Sequence, residues 1–201
     1  MALALALVAR ASGSQYETLL DAVQEQAAGL CAHTREPHDG KVQIDHSVEI
    51  ETLNDIALHA FRGTPVTLRK EAAAVLSMLV NSRVNLRALS IEAHKHKSTL
   101  WKRLRKALAA ALKHGAPIPT MAAQNAHRAS QMTDSAVRVV ASDHRLLAAA
   151  IETAAVGELT GGLRYTASVL RALVADEFSG LWSRTGRSAP MGSGVGRKRT
   201  A

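Results

Sequence analysis

Apolar positions recur at helical spacing along most of this chain. Tyr16, Leu19, Leu20, Val23, Ala27 and Leu30 share one face behind a Ser14-x-x-Glu17 capping box, which predicts a first helix to about His33. Turn residues at 35–40 end it. Val42, Ile44, Val48 and Ile50 alternate with polar residues instead, predicting a small β-hairpin across 45–47 that must lie on helices. Helical spacing resumes at 52–61 and 68–80, the two separated by Gly63-Thr64-Pro65. Two more helices are predicted at 85–93, with Leu86, Leu89 and Ala93 inward, and at 98–112, capped by Ser98 or Thr99. The segment from Gly115 to Pro119 is the clearest break and the best candidate for a domain boundary or hinge. Beyond it the pattern predicts helix through most of 121–159, an interruption at Gly161-Gly162, and a last helix over 163–178.

Composition agrees with a mainly α fold, a helical bundle carrying at most a small β-hairpin. Hydrophobic residues make up 47% of the 201, with only 3% aromatic, and Ala and Leu, the strongest helix formers, supply much of the apolar share. The expected organisation is an N-terminal arm at 1–13, a helical domain at 14–114, a helical region at 120–178 that is a candidate for oligomerisation, and a disordered tail at 179–201. That tail holds Arg184, Arg187, Arg197, Lys198 and Arg199 and no acid. Cys31 is the one cysteine, which excludes an internal disulfide and fits a reducing, cytoplasmic setting. No apolar run reaches the length of a spanning helix, and the opening apolar stretch lacks the basic start of a signal peptide.

Charge changes the picture. Residues 81–114 hold nine Lys or Arg against one acid, Glu92, an excess equal to the +8 of the whole chain. A concentration of this kind expects a polyanionic partner. On a helical wheel the 98–112 segment sets Leu100, Leu104 and Leu108, with Ala107, Ala111, Trp101 and Leu112, against an opposite arc assigned to Lys102, Arg103, Arg105 and Lys106. Residues 94–97 would connect this helix to the one before it. Two helices so joined, the second basic, have the layout of a helix-turn-helix unit over 68–112, with 68–80 as its supporting helix.

The string Lys97-Ser98-Thr99-Leu100-Trp101-Lys102-Arg103-Leu104-Arg105-Lys106 resembles the recognition helix of Fis-type helix-turn-helix proteins over about 25 residues. The resemblance implies that His96, Lys97, Ser98, Trp101, Lys102 and Arg105 face the groove or flanking phosphates, with Leu100 and Leu104 holding the helix in place. Arg87, Lys95, Thr99, Arg103 and Lys106 complete the expected nucleic-acid-binding set. The turn departs from the pattern, having His94 and Lys95 where Gly and an apolar residue are usual. The expectation is a DNA-binding regulator or DNA-architecture protein of bacterial or mobile-element origin, binding DNA in preference to RNA as a homodimer or higher oligomer. It would be nucleoid-associated if bacterial.

Other chemistry is sparse. His94 and His96 stand in a cationic segment without a ligand cluster, so partial protonation beside phosphate is expected rather than zinc. The glycine-rich 192–198 lacks Walker spacing, and Asp176 and Glu177 point to different helix faces. No catalytic constellation, metal or cofactor is expected. A structural alternative remains: 161–165 and 178–182, followed by a basic small-residue tail, are similar to the carboxyl end of rod-shaped plant virus coat proteins, which implies a nucleic-acid-packaging protein in a virion. A basic amphipathic helix for membranes or a calmodulin-like groove is disfavoured, because its apolar face is largely Ala.

Overall fold

The computed structural model describes residues 21, 23, 29–37, 42–126 and 132–175. The arm at 1–13, the capping box at 14–17 and the basic tail at 179–201 lie outside them. The elements in order are β1 (Gln43–His46), α1 (Ile50–Ala60), α2 (Val66–Val80), β2 (Leu86–Leu89), α3 (Ile91–His114), α4 (Met121–Asn125), α5 (Asp134–Thr153), a 3-10 turn (Gly157–Leu159) and α6 (Thr160–Ala172). The fold is mainly α, with a small two-stranded antiparallel sheet among the described residues, as the pattern predicts.

That β element is assembled differently from the expectation. β1 pairs with β2, Gln43 opposite Leu89 and His46 opposite Leu86, while Ile50 begins α1 instead of a second strand. Residues 86–89 therefore form a strand where a helix is expected. Both periods fit so short a run, since Leu86 and Ala88 share a strand face just as Leu86 and Leu89 share a helix face. The buried side chain of Asn85 decides between them. Its Oδ1 accepts from Val48 N at 2.7 Å, and its Nδ2 donates to Val48 O at 3.1 Å and to Val80 O at 2.9 Å. One amide thus joins the end of α2 to the segment after β1 and holds the two strands in register.

The helix-turn-helix unit is absent. A single residue separates β2 from α3: Ser90 caps the helix, its Oγ accepting from Ala93 N at 3.3 Å, and the helix then runs unbroken for 24 residues to Gly115. Gly115 takes the left-handed conformation common just past a helix end. His94 to Lys97 lies within α3, and Ser98 and Thr99 are interior to it, not caps. Thr99 Oγ1 donates instead to Lys95 O at 3.0 Å.

One apolar core runs from Val48 to Val174, through Leu53, Ile56, Leu76, Leu100, Leu104, Leu108, Leu147, Ile151, Leu163 and Leu170, and so occupies both sides of the 115–119 break. α5 packs on α6, α6 on α1, α2 on α5, and α3 on α1, α4 and the β ribbon. Gly161 and Gly162 lie in the first turn of α6 and do not interrupt it. Their roles differ. A Cβ at Gly162 would overlap the ring of Phe61, whereas one at Gly161 would meet nothing. Gly162→Ala is expected to lower unfolding free energy by about 1–3 kcal/mol, as overpacking does. Gly161→Ala should raise it by up to about 1 kcal/mol. Denaturant titration of the two variants against the parent checks both signs.

Candidate nucleic-acid interface

Because α3 is continuous, its wheel extends back through 94–97. With Leu100 at zero and about 100° per residue, the buried Ala93, Lys97, Trp101, Leu104, Leu108 and Ala111 all fall between about 0° and 100°. Lys97 sits near the middle of that buried arc and is fully buried. Its Nζ donates to Asp45 Oδ2 and to Glu49 Oε1, each at 2.7 Å, so β1 and the entry to α1 both close on one ammonium. His94 Nδ1 stands 3.1 Å from the same Asp45 oxygen, off the hydrogen-bond direction, and Asp45 Oδ1 accepts from His46 N at 2.9 Å. Burial pushes the Asp45 carboxyl up, but Lys97 and then His94 outweigh it and hold the group below its ordinary range.

The resemblance places Lys97 and Trp101 in a DNA groove. The fold turns both inward. Trp101 is 3% exposed and stacks on His144 of α5, ring centroids 5.2 Å apart. His144 Nδ1 bonds Val140 O at 2.8 Å and the ring is wholly buried, which drives its pKa down to about 4. Ser98 is partly buried, with its Oγ 3.4 Å from His94 Nε2. Two arginines of the expected set are engaged within the fold. Arg105 clamps Asp55 of α1 with Nε at 2.6 Å and Nη2 at 3.3 Å, and Arg87 Nη2 donates to Asp143 Oδ1 at 2.5 Å. Ser47 Oγ holds the other Asp143 oxygen at 2.5 Å. Arg103, assigned to the basic arc, lies on the flank of the packing side and is half-buried.

What remains outward is narrower and more regular than the expected set. Lys95, Lys102, Lys106 and Lys113 are all exposed and fall between about 200° and 240° on the wheel, nearly opposite the buried arc. They form a line about 27 Å long on the surface of α3. Among the described residues none of the four has a carboxylate partner. Thr99 lies beside the line, and His96 lies off it, 3.8 Å from Glu92. Lys113 was outside the expected set because the resemblance stops at Lys106. Carrying the wheel from Glu92 to Lys113 finds it, and separates Lys97 from the other lysines.

No protein-family model, curated protein or solved structure matches this chain.

Two outcomes follow from the buried cluster. Lys97→Met leaves Asp45 and Glu49 facing an apolar group and should cost about 3–5 kcal/mol, whereas a triple variant with Asp45→Asn and Glu49→Gln should recover most of it. Chemical denaturation of the three proteins measures this. Acid sensitivity should begin well above the carboxylate range. His33, depressed to about 4 by burial and by Lys97 and Arg87 against Asp45, and His144, also about 4, stay neutral in the fold. The unfolded chain protonates both below about pH 6.5, so stability present above that pH is lost as pH falls toward 4. At about 1.4 kcal/mol per unit the two imply a loss of several kcal/mol. Unfolding free energies at pH 7 and pH 4.5 test it.

Proposed function

We propose that this protein binds nucleic acid along the phosphate backbone, without reading base sequence, through the lysine line of α3. The observation carrying this is the set of four exposed lysines on one helix face, opposite the packing face and, among the described residues, without carboxylate partners. Each lysine that meets a phosphate releases condensed counterions, and a rigid helix presents all four at fixed spacing. Two of the six side chains expected at the groove, Lys97 and Trp101, are committed to the core, which favours a DNA-architecture or coating role over an operator-reading regulator. Duplex DNA is the favoured partner, and a homo-oligomer would lengthen the contacted track.

The test is the salt dependence of duplex binding. With four phosphate contacts, log Kd should rise with log salt with a slope of about 3.6, and Lys102→Gln with Lys106→Gln should bring it to about 1.8. A scrambled duplex of equal length should bind as tightly as any other. An unchanged slope in the double variant would remove the lysine line from the interface.

A further inference from the structure

The four lysines of the α3 line are unevenly spaced along a straight track. From Lys95 the intervals are seven, four and seven residues, or about 10.5, 6 and 10.5 Å of helix rise. All four fall within about 40° of the wheel, so the line runs parallel to the helix axis and does not wind around it. Ala109 and Ala110 flank it between Lys106 and Lys113, both exposed, so no long side chain stands beside that stretch. Glu92 is the one acid of α3 and lies on the flank beside Lys95, where it opposes a polyanion.

A straight line of charges and a double helix can meet in few ways. Each strand of a duplex returns to the same side once per turn, about 34–36 Å along the axis, and the complementary strand passes once in between. Laid across a groove, the line would meet walls about 6 or about 12 Å apart, and Lys95 and Lys113, about 27 Å apart, would overshoot both. Laid inside the major groove, a line this narrow would point at base edges and not at the phosphates on either side. Laid along the duplex axis, it fits. Lys95 and Lys113 then lean outward by about 4 Å each to reach two passes of one strand, which a flexible four-carbon stem allows. Lys102 and Lys106, about 6 Å apart in the middle, close on the single pass of the other strand.

We propose that α3 lies parallel to the axis of a duplex and touches both strands over one full turn, the outer lysines on one strand and the inner pair on the other. The proposal rests on the phosphate-binding reading above and adds the form of the partner, a straight duplex of at least one turn. A shorter duplex offers the outer lysines a single pass of their strand, so one of the two goes without a phosphate.

Salt titration of the full chain with GC-rich duplexes of 16 and 8 base pairs tests the placement. The shorter spans about 27 Å, less than a turn. On the longer duplex, Lys95→Gln with Lys113→Gln should lower the slope of log Kd against log salt by about 1.8, as two lost contacts do. On the shorter it should lower the slope by only about 0.9, because the parent already lacks one of those contacts. Lys102→Gln with Lys106→Gln should lower it by about 1.8 on both. Each variant is compared with the parent on the same duplex, so the effect of duplex ends cancels, and all four positions are exposed, so the core is untouched. An outer-pair loss equal on the two duplexes, or absent on the longer, overturns the axial placement while the inner pair still carries the phosphate-binding reading. An inner-pair variant that changes neither slope overturns that reading itself, and the placement with it.

Discussion

The ammonium of Lys97 organises this fold. A lysine at zero exposure is tolerable only where carboxylates replace its water, and Asp45 and Glu49 do so from two different elements. Because both bonds are 2.7 Å long, the position of α3 against the β1 strand and the start of α1 is set by charge as well as by shape. Asn85 performs the neutral version of the same task one layer away, tying α2 to the segment after β1. Between them these two side chains place polar bonds against a core built mostly from Leu, Ile, Val and Ala, with Phe61, Trp101, Met121 and Met132. Buried ion pairs add little net stability, and their consequence here is specificity: one register for the ribbon and one rotation for α3.

The rotation of α3 is what gives the surface its character. Once Lys97 points inward, the helix has no freedom to present a mixed basic face. Arg105 and Arg87, which lie nearer the core, are drawn to Asp55 and Asp143 and serve as struts between elements. The lysines farthest from the core are left as a straight line. Seven of the nine basic groups in 81–114 thus divide into three kinds: a buried keystone, two braces, and an outward row; Arg83 is exposed outside α3 and Arg103 is half-buried on its flank. The row can meet a polyanion without giving up any bond within the fold.

Much of this was legible in the chain. The helices at 50–60, 66–80, 134–153 and 160–172 follow from apolar spacing, and the residues that spacing turns inward, such as Leu53, Ile56, Leu76, Leu147 and Leu170, are in the core. The segments on either side of Ser90 were not legible. At 86–89 strand and helix periods coincide over four residues, and the deciding bonds of Asn85 reach to Val48, 37 positions away. At 94–97 four polar residues in a row read as a connection, because polar residues ordinarily mark a break. The helix continues through them since Lys97 finds its partners in Asp45 and Glu49, which no local pattern reveals. Position was nonetheless informative: Lys97 stands four residues after Ala93 and three before Leu100, on the packing stripe. The resemblance to a recognition helix misled at the same place, because its spacing of Leu100 and Leu104 is shared by any amphipathic helix.

Amine acylation of the native protein, read residue by residue by mass spectrometry, distinguishes a buried Lys97 from an exposed one. If Lys97 is the buried keystone of a continuous α3, Lys95, Lys102, Lys106 and Lys113 react at the rate of free surface amines while Lys97 reacts only on unfolding, at least a hundredfold more slowly. Labelling of Lys97 at the rate of Lys95 would contradict it, and would return residues 94–97 to an exposed connection.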